Sequence, residues 1–210
     1  DGGNNRLVWL DSSWNVVRVI SEFDNEGRVD RLKSPEGVWA ANDGSVYVAD
    51  TGNGRVVVFG RDGGFVREIG PPVASEDGVI PDGFKYQPTK LTVGPDYRMY
   101  VISRNSYEGL TVFNADGNFS GFMGAPRVTA SVADLFWYRI ATREQKQRMA
   151  LFIPTQFANL TMDNRGFIYV VESGLAKDNS IRRLNPSGED VLVRNWFHAP
   201  MGDLSTEYPS

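Results

Sequence analysis

One polar set recurs in this chain at a fixed spacing. Asp50, Asn53 and Arg55 are echoed at the N-terminus by Asp1, Asn4 and Arg6. A carboxylate that ends one extended segment and an arginine that opens the next suit a charge-assisted pair across the intervening loop. Recurrence favours a pairing that each unit of a fold needs, because a catalytic set has no reason to repeat. Asp50 and Glu172 also close apolar runs at equivalent places. Lys90, Arg104, Tyr107, Glu108, Trp137, Arg139 and Glu172 form a second group. They combine aromatic, arginine and carboxylate side chains in loop or strand-end positions, the residue types that anchor recognition surfaces.

Much other chemistry is excluded. The chain has no Cys and a single His, His198. It can form no disulfide, thiolate nucleophile or iron–sulfur site, and catalytic zinc sites usually take more than one His. His198, in Trp196-Phe-His-Ala-Pro200, reads as a packing or loop residue. The net charge of −4 and a pI near 5.1 lack the electrostatic footprint of a duplex-binding protein. No nucleic-acid partner is expected. No apolar run approaches the ~20 residues of a membrane span, and no Met or signal peptide opens the chain at Asp1.

The elements that must hold these residues show up as a repeat. Ser45–Asp50, Arg98–Ser103 and Phe167–Glu172 are apolar runs sharing one frame. Each follows a Gly/Asp/Asn turn, and each turn follows another short strand, at 37–41, 90–94 and 159–163. Pro35, Pro88 and Pro154 lie just before those. Downstream, 55–60, 110–114 and 181–185 are third strands, and 65–69, 119–123 and 191–195 are fourth strands. Each unit is thus four strands, A to D, joined by hairpin turns. Strand B is apolar on both parities (Val46, Tyr47, Val48, Ala49), as in a sheet covered on both faces. Units of this size must stack to bury their faces, which predicts a β-propeller. Arg6–Asp11 and Asn15–Ile20 read as strands C and D of a unit already under way.

Pro35-x-Gly37-Val38, Val46-Tyr-Val-Ala-Asp50 and Asn53-x-Arg55-Val56-x-Val-Phe59 resemble the NHL repeat. The first half-unit matches over Asp1, Asn4, Asn5 and Arg6. The later units depart: Ser103 and Glu172 replace the aspartate, and no arginine matches Arg55. The resemblance implies an all-β, NHL-type β-propeller of four-stranded antiparallel blades. The whole chain, 1–210, is read as one partial propeller domain: a half-blade at about 1–20, blades at about 35–70, 88–124 and 154–196, and a helical insert at 125–153. NHL-like amidating lyases hold zinc with several His, which this chain lacks. RNA-binding NHL domains need a basic surface, against which the acidic total argues. Related gluconolactonases use a carboxylate–Asn cluster around Ca²⁺. Similarity to secreted bacterial NHL proteins, with the lack of Cys, implies an extracytoplasmic location.

Propeller loops alternate between two faces. The A–B and C–D turns are short throughout. The longer segments at 21–33, 71–87, 104–109, 125–153 and 173–180 are all D–A or B–C connections and so share one face. Such asymmetry predicts binding loops on a rigid scaffold. In the largest insert Val132, Leu135, Phe136 and Ile140 fall at helical spacing, with Ser131 and Asp134 as a capping box. Three and a half blades leave their outer flanks uncovered, so a second copy or further blades must complete the ring. The expected function is non-catalytic recognition of a protein, peptide or glycan by the insert-bearing face, without a cofactor or resident metal. A Ca²⁺-dependent, lactonase-like hydrolase is the alternative.

Overall fold

The computed structural model describes residues 1–74, 79–104, 106, 108–124, 156–173, 181–194 and 197–198. Two strands open the chain, β1 (Leu7–Leu10) and β2 (Val16–Ile20), paired antiparallel. A hairpin follows, β3 (Glu22–Asn25) and β4 (Arg28–Arg31). The first full blade is β5 (Gly37–Ala40), β6 (Val46–Asp50), β7 (Arg55–Phe59) and β8 (Phe65–Ile69), hydrogen-bonded in that order. The second is β9 (Pro88–Val93), β10 (Met99–Ser103), β11 (Leu110–Phe113) and β12 (Phe119–Met123). The third sheet has three strands, β13 (Gln156–Met162), β14 (Ile168–Ser173) and β15 (Ile181–Leu184). A last pair is β16 (Val193–Arg194) with β17 (Phe197–His198). Among the described residues the fold is an all-β propeller of antiparallel blades.

The turns follow from their residues. Asp43, Asp96 and Asp163 each accept a backbone N–H two residues on, from Ser45, Arg98 and Arg165. Asp62, Asn114 and Asn185 do the same for Gly64, Asp116 and Ser187. These side-chain turns stand in for backbone pairing and set each hairpin register. Because neighbouring strands are antiparallel, the A–B and C–D turns gather at one end of every sheet. The B–C and D–A connections gather at the other.

The apolar reading of strand B is explained by the packing. On β10, Met99 and Val101 join Tyr47, Ala49, Val56 and Val58 of the first full blade. Tyr100 and Ile102 face the other way and join Phe157, Leu160, Ile168 and Val170 of the third sheet. On β6, Val46 and Val48 pack toward the half-blade with Ile20, Phe23 and Leu32. The inner strand β9 packs between β5 and β13, as strand A does around a propeller axis.

Two expectations change. The segment 21–33, read as a D–A loop, contains the hairpin β3–β4, turning at Glu26 and Gly27 with positive φ of 54° and 81°. Its alternation carries one large apolar residue per strand, Phe23 and Val29, too little to register as a sheet. The strand D expected at 191–195 is reduced to a bridge between Leu184 and Asp190 and a bond from the Val191 N–H to the Arg183 carbonyl. Val193 and Arg194 pair with Phe197 and His198 instead. The helical insert at 125–153 lies outside the described residues.

Candidate functional site

The recurrent Asp–Asn–Arg set is a structural clamp. Asp50 ends β6 and is fully buried. Its Oδ2 accepts Asn53 Nδ2 at 2.8 Å and Arg55 Nε at 3.0 Å, and its Oδ1 accepts the Lys33 N–H at 2.6 Å. The guanidinium continues to Asp30 at 2.6 and 2.9 Å and to Glu68 at 2.6 Å, and lies over the Phe23 ring at 5.8 Å. Asp30 and Phe23 belong to the hairpin that sequence reading took as a loop. The N-terminal copy keeps the same core: Asp1 takes Asn4 Nδ2 at 2.9 Å and Arg6 Nε at 2.8 Å. Both copies wrap a short 3-10 turn, Gly2–Asn4 and Thr51–Asn53, each closed by a left-handed residue, Asn5 or Gly54.

The later units solve the same problem differently. Ser103 accepts the Gln87 N–H at 2.9 Å, the task Asp50 performs for Lys33. Glu172 pairs with Arg182 Nη1 at 3.2 Å, and Arg182 Nε reaches Asp190 at 3.4 Å. No arginine stands at the Arg55 position of this unit, yet its carboxylate still finds an arginine. Arg182 sits in register with Val170, off the Arg55 position, so a gap-free alignment passes over it.

On the end that bears the long connections, Lys90 Nζ donates to the Glu36 carbonyl at 3.0 Å, and Arg104 forms an ion pair with the Glu36 carboxylate. Both cross from the second full blade to the first. Glu108 accepts Ser106 Oγ at 2.9 Å and, with Pro81, Gly83, Phe84, Lys85 and Gln87, borders a cleft of about 240 Å³. The structure thus brings Lys90, Arg104 and Glu108 to one end of one blade. Glu172 stands at the same end of the next sheet. Tyr107, Trp137 and Arg139 lie outside the described residues. Among the described residues no cluster of three His, Cys, Asp or Glu could hold a metal ion, and no helix is long and apolar enough to cross a membrane.

A second cavity, of about 230 Å³, opens on the opposite end, where the A–B turns of all three sheets converge. Trp39, Asn42, Tyr97, Met162, Asp163 and Asn164 line it. Trp39 lies on β5. It is half-buried and does pack against the cluster around Tyr47, but it also borders this cavity. Nothing in the sequence alone showed that three turns so far apart would meet.

Comparison with known proteins agrees with this geometry. Residues 32–59 match the NHL repeat. A streptogramin B lyase structure superposes with a TM-score of 0.51 at 16% identity, covering 89% of this chain and 46% of that one. A catalytically inactive virginiamycin B lyase from Staphylococcus aureus, solved with quinupristin, gives a TM-score of 0.50 at 11% identity, covering 89% and 55%. The chain therefore spans about half the length of these structures, and at such identities the likeness is one of fold. No curated protein sequence matches it. The chain is a β-propeller of NHL type that carries the NHL repeat at residues 32–59.

Proposed function

We propose that this propeller is a non-catalytic recognition module, binding a protein, peptide or glycan through the end that bears its long connections. The observation that carries this reading is the engagement of the strand-end carboxylates. Asp50 is buried against Arg55 and Asn53, and Glu172 is held by Arg182. These are the groups that would serve as acid, base or cation ligand, and their geometry is that of blade clamps. Lys90 and Arg104 in turn brace two blades through Glu36, giving a stiff rim at the end where the long connections lie. Rigid support of loops lowers the ordering cost of binding.

The test screens the 210-residue chain against displayed peptide libraries and a glycan array. The expected result is enrichment of binders that are lost when Tyr107→Ala, Trp137→Ala and Arg139→Ala are combined. Binders that survive the triple variant would remove these residues from the surface. Stoichiometric Ca²⁺ in the purified chain, with lactone hydrolysis that chelation abolishes, would overturn the reading in favour of a hydrolase.

A further inference from the structure

We propose that the cavity on the turn end is a binding subsite for one uncharged pyranose ring, separate from the recognition end described above and independent of it. Three inner strands, β5, β9 and β13, run out side by side here, and their A–B turns form the walls. Each turn contains an aspartate already committed to its own backbone: Asp43 to Ser45, Asp96 to Arg98, and Asp163 to Arg165 and Phe167. The asparagines beside two of them are different. Asn42 and Asn164 line the cavity, are exposed, and make no side-chain hydrogen bond among the described residues. Two unspent amides thus face one small volume.

An amide offers a donor and an acceptor side by side. That is the pattern vicinal sugar hydroxyls require, since each hydroxyl both gives and takes. Trp39 and Tyr97 add aromatic side chains to the lining, with Val93 and Met162 as apolar neighbours. A pyranose presents a C–H face to such rings while its hydroxyl edge meets the amides. The neighbouring Asp43 carboxylate pushes the Tyr97 phenol above its ordinary value.

The charge balance decides against ionic ligands. Among the described residues no Lys or Arg side chain lines the cavity, so an anion finds no partner there. Asp163, the one lining carboxylate among the described residues, is already met by Arg183 Nη2 at 3.5 Å and the Tyr169 hydroxyl at 3.3 Å. Arg183 itself is stacked at 3.9 Å on the Phe167 ring. A cation would compete with a guanidinium held in place. The volume of about 230 Å³ is below that of drug-sized pockets and suits a single ring.

The experiment titrates the 210-residue chain with glucose, galactose, mannose, N-acetylglucosamine and their β-1,4 disaccharides, followed by calorimetry and two-dimensional NMR. Choline chloride and sodium sulfate serve as charged probes. At least one sugar should bind with a Kd on the order of 1 mM. Combining Asn42→Ala with Asn164→Ala should weaken it tenfold or more. Both side chains are exposed, so thermal unfolding should be unchanged. Trp39→Phe keeps an aromatic face and should cost less than the asparagine pair. Arg104→Ala, on the other end, should leave sugar binding intact, which separates this site from the recognition surface. The proposal is overturned if no sugar binds, if binding survives in the asparagine double variant, if Arg104→Ala abolishes it, or if choline or sulfate binds more tightly than every sugar.

Discussion

Arg55 gathers carboxylates from three elements: Asp50 at the end of β6, Asp30 in β4 and Glu68 in β8. Its side chain is only 13% exposed and that of Asp50 is 0% exposed. Removing one partner of a buried pair leaves an uncompensated charge, so Arg55→Ala should cost about 3–5 kcal/mol in urea unfolding. The N-terminal copy is a natural control. Arg6 and Asp1 make the same bond at 2.8 Å but are 42% and 30% exposed. Arg6→Ala should therefore cost about 0–1 kcal/mol. Equal losses at the two sites would refute burial as the deciding factor. The pH dependence follows from Asp30. Its hydrogen bonds to Arg55 hold the carboxyl well below the usual carboxylate range. A carboxyl more acidic folded than unfolded adds stability that is present above its unfolded value, about pH 4, and is lost as pH falls toward the folded value. The stability gap between wild type and Asp30→Asn should accordingly be constant near neutrality and shrink below about pH 4. A gap that does not change on acidification would contradict this assignment.

The B–C turn is the element that joins one blade to the next. Thr51 Oγ1 donates to the Pro88 carbonyl at 2.6 Å, a buried bond from the first full blade to the start of the next strand A. At the matching place in the half-blade stands Gly2, whose missing Cβ would lie 2.6 Å from the Pro35 carbonyl. The proline of the repeat is thus a landing point for the preceding blade as well as a strand opener. Thr51→Val preserves shape but strands a buried acceptor, and should cost about 1–3 kcal/mol in chemical unfolding. Thr51→Ser should recover most of that. Gly37 marks a related constraint: a Cβ there would meet the Thr89 carbonyl at 2.5 Å, so two inner strands approach through it. The hairpin β3–β4 shows how an element of weak pattern gains definition from its surroundings. Phe23 lies 5.2 Å from both the Phe59 and Phe65 rings, and Asp30 closes on Arg55.

At the scale of the molecule, the blades differ in what covers them. Every residue of β6 and β10 is buried, because each has a sheet on both sides. The outer flank of the half-blade is not so covered: Val17 is 62% and Val19 48% exposed. Val171 and Ile181, at 40% and 45%, present a similar flank on the third sheet. Apolar flanks of this kind favour association. We predict that the 210-residue chain self-associates in solution through these flanks. Light scattering after size exclusion should show species larger than a monomer, and Val17→Glu with Val19→Glu should shift them toward the monomer. A wild-type chain that runs as a monomer at all concentrations would refute it.

Periodicity and turn chemistry in the sequence determined the blades. Period-two strands bounded by Asp/Asn/Gly turns are local features, and strand B's apolar character on both parities announced a neighbour on each side. The Asp50–Asn53–Arg55 clamp was legible for the same reason, since its partners lie within one turn of chain. The contribution of Asp30 and Phe23 to that clamp was not, because it depends on a hairpin folding back across the blade edge. Nor was the role of Arg182, which reaches Glu172 from a shifted register. The convergence of Asn42, Tyr97 and Asn164 around one cavity is likewise a product of tertiary packing. Local sequence sets which turns form. The curvature of sheet stacked on sheet sets which turns meet.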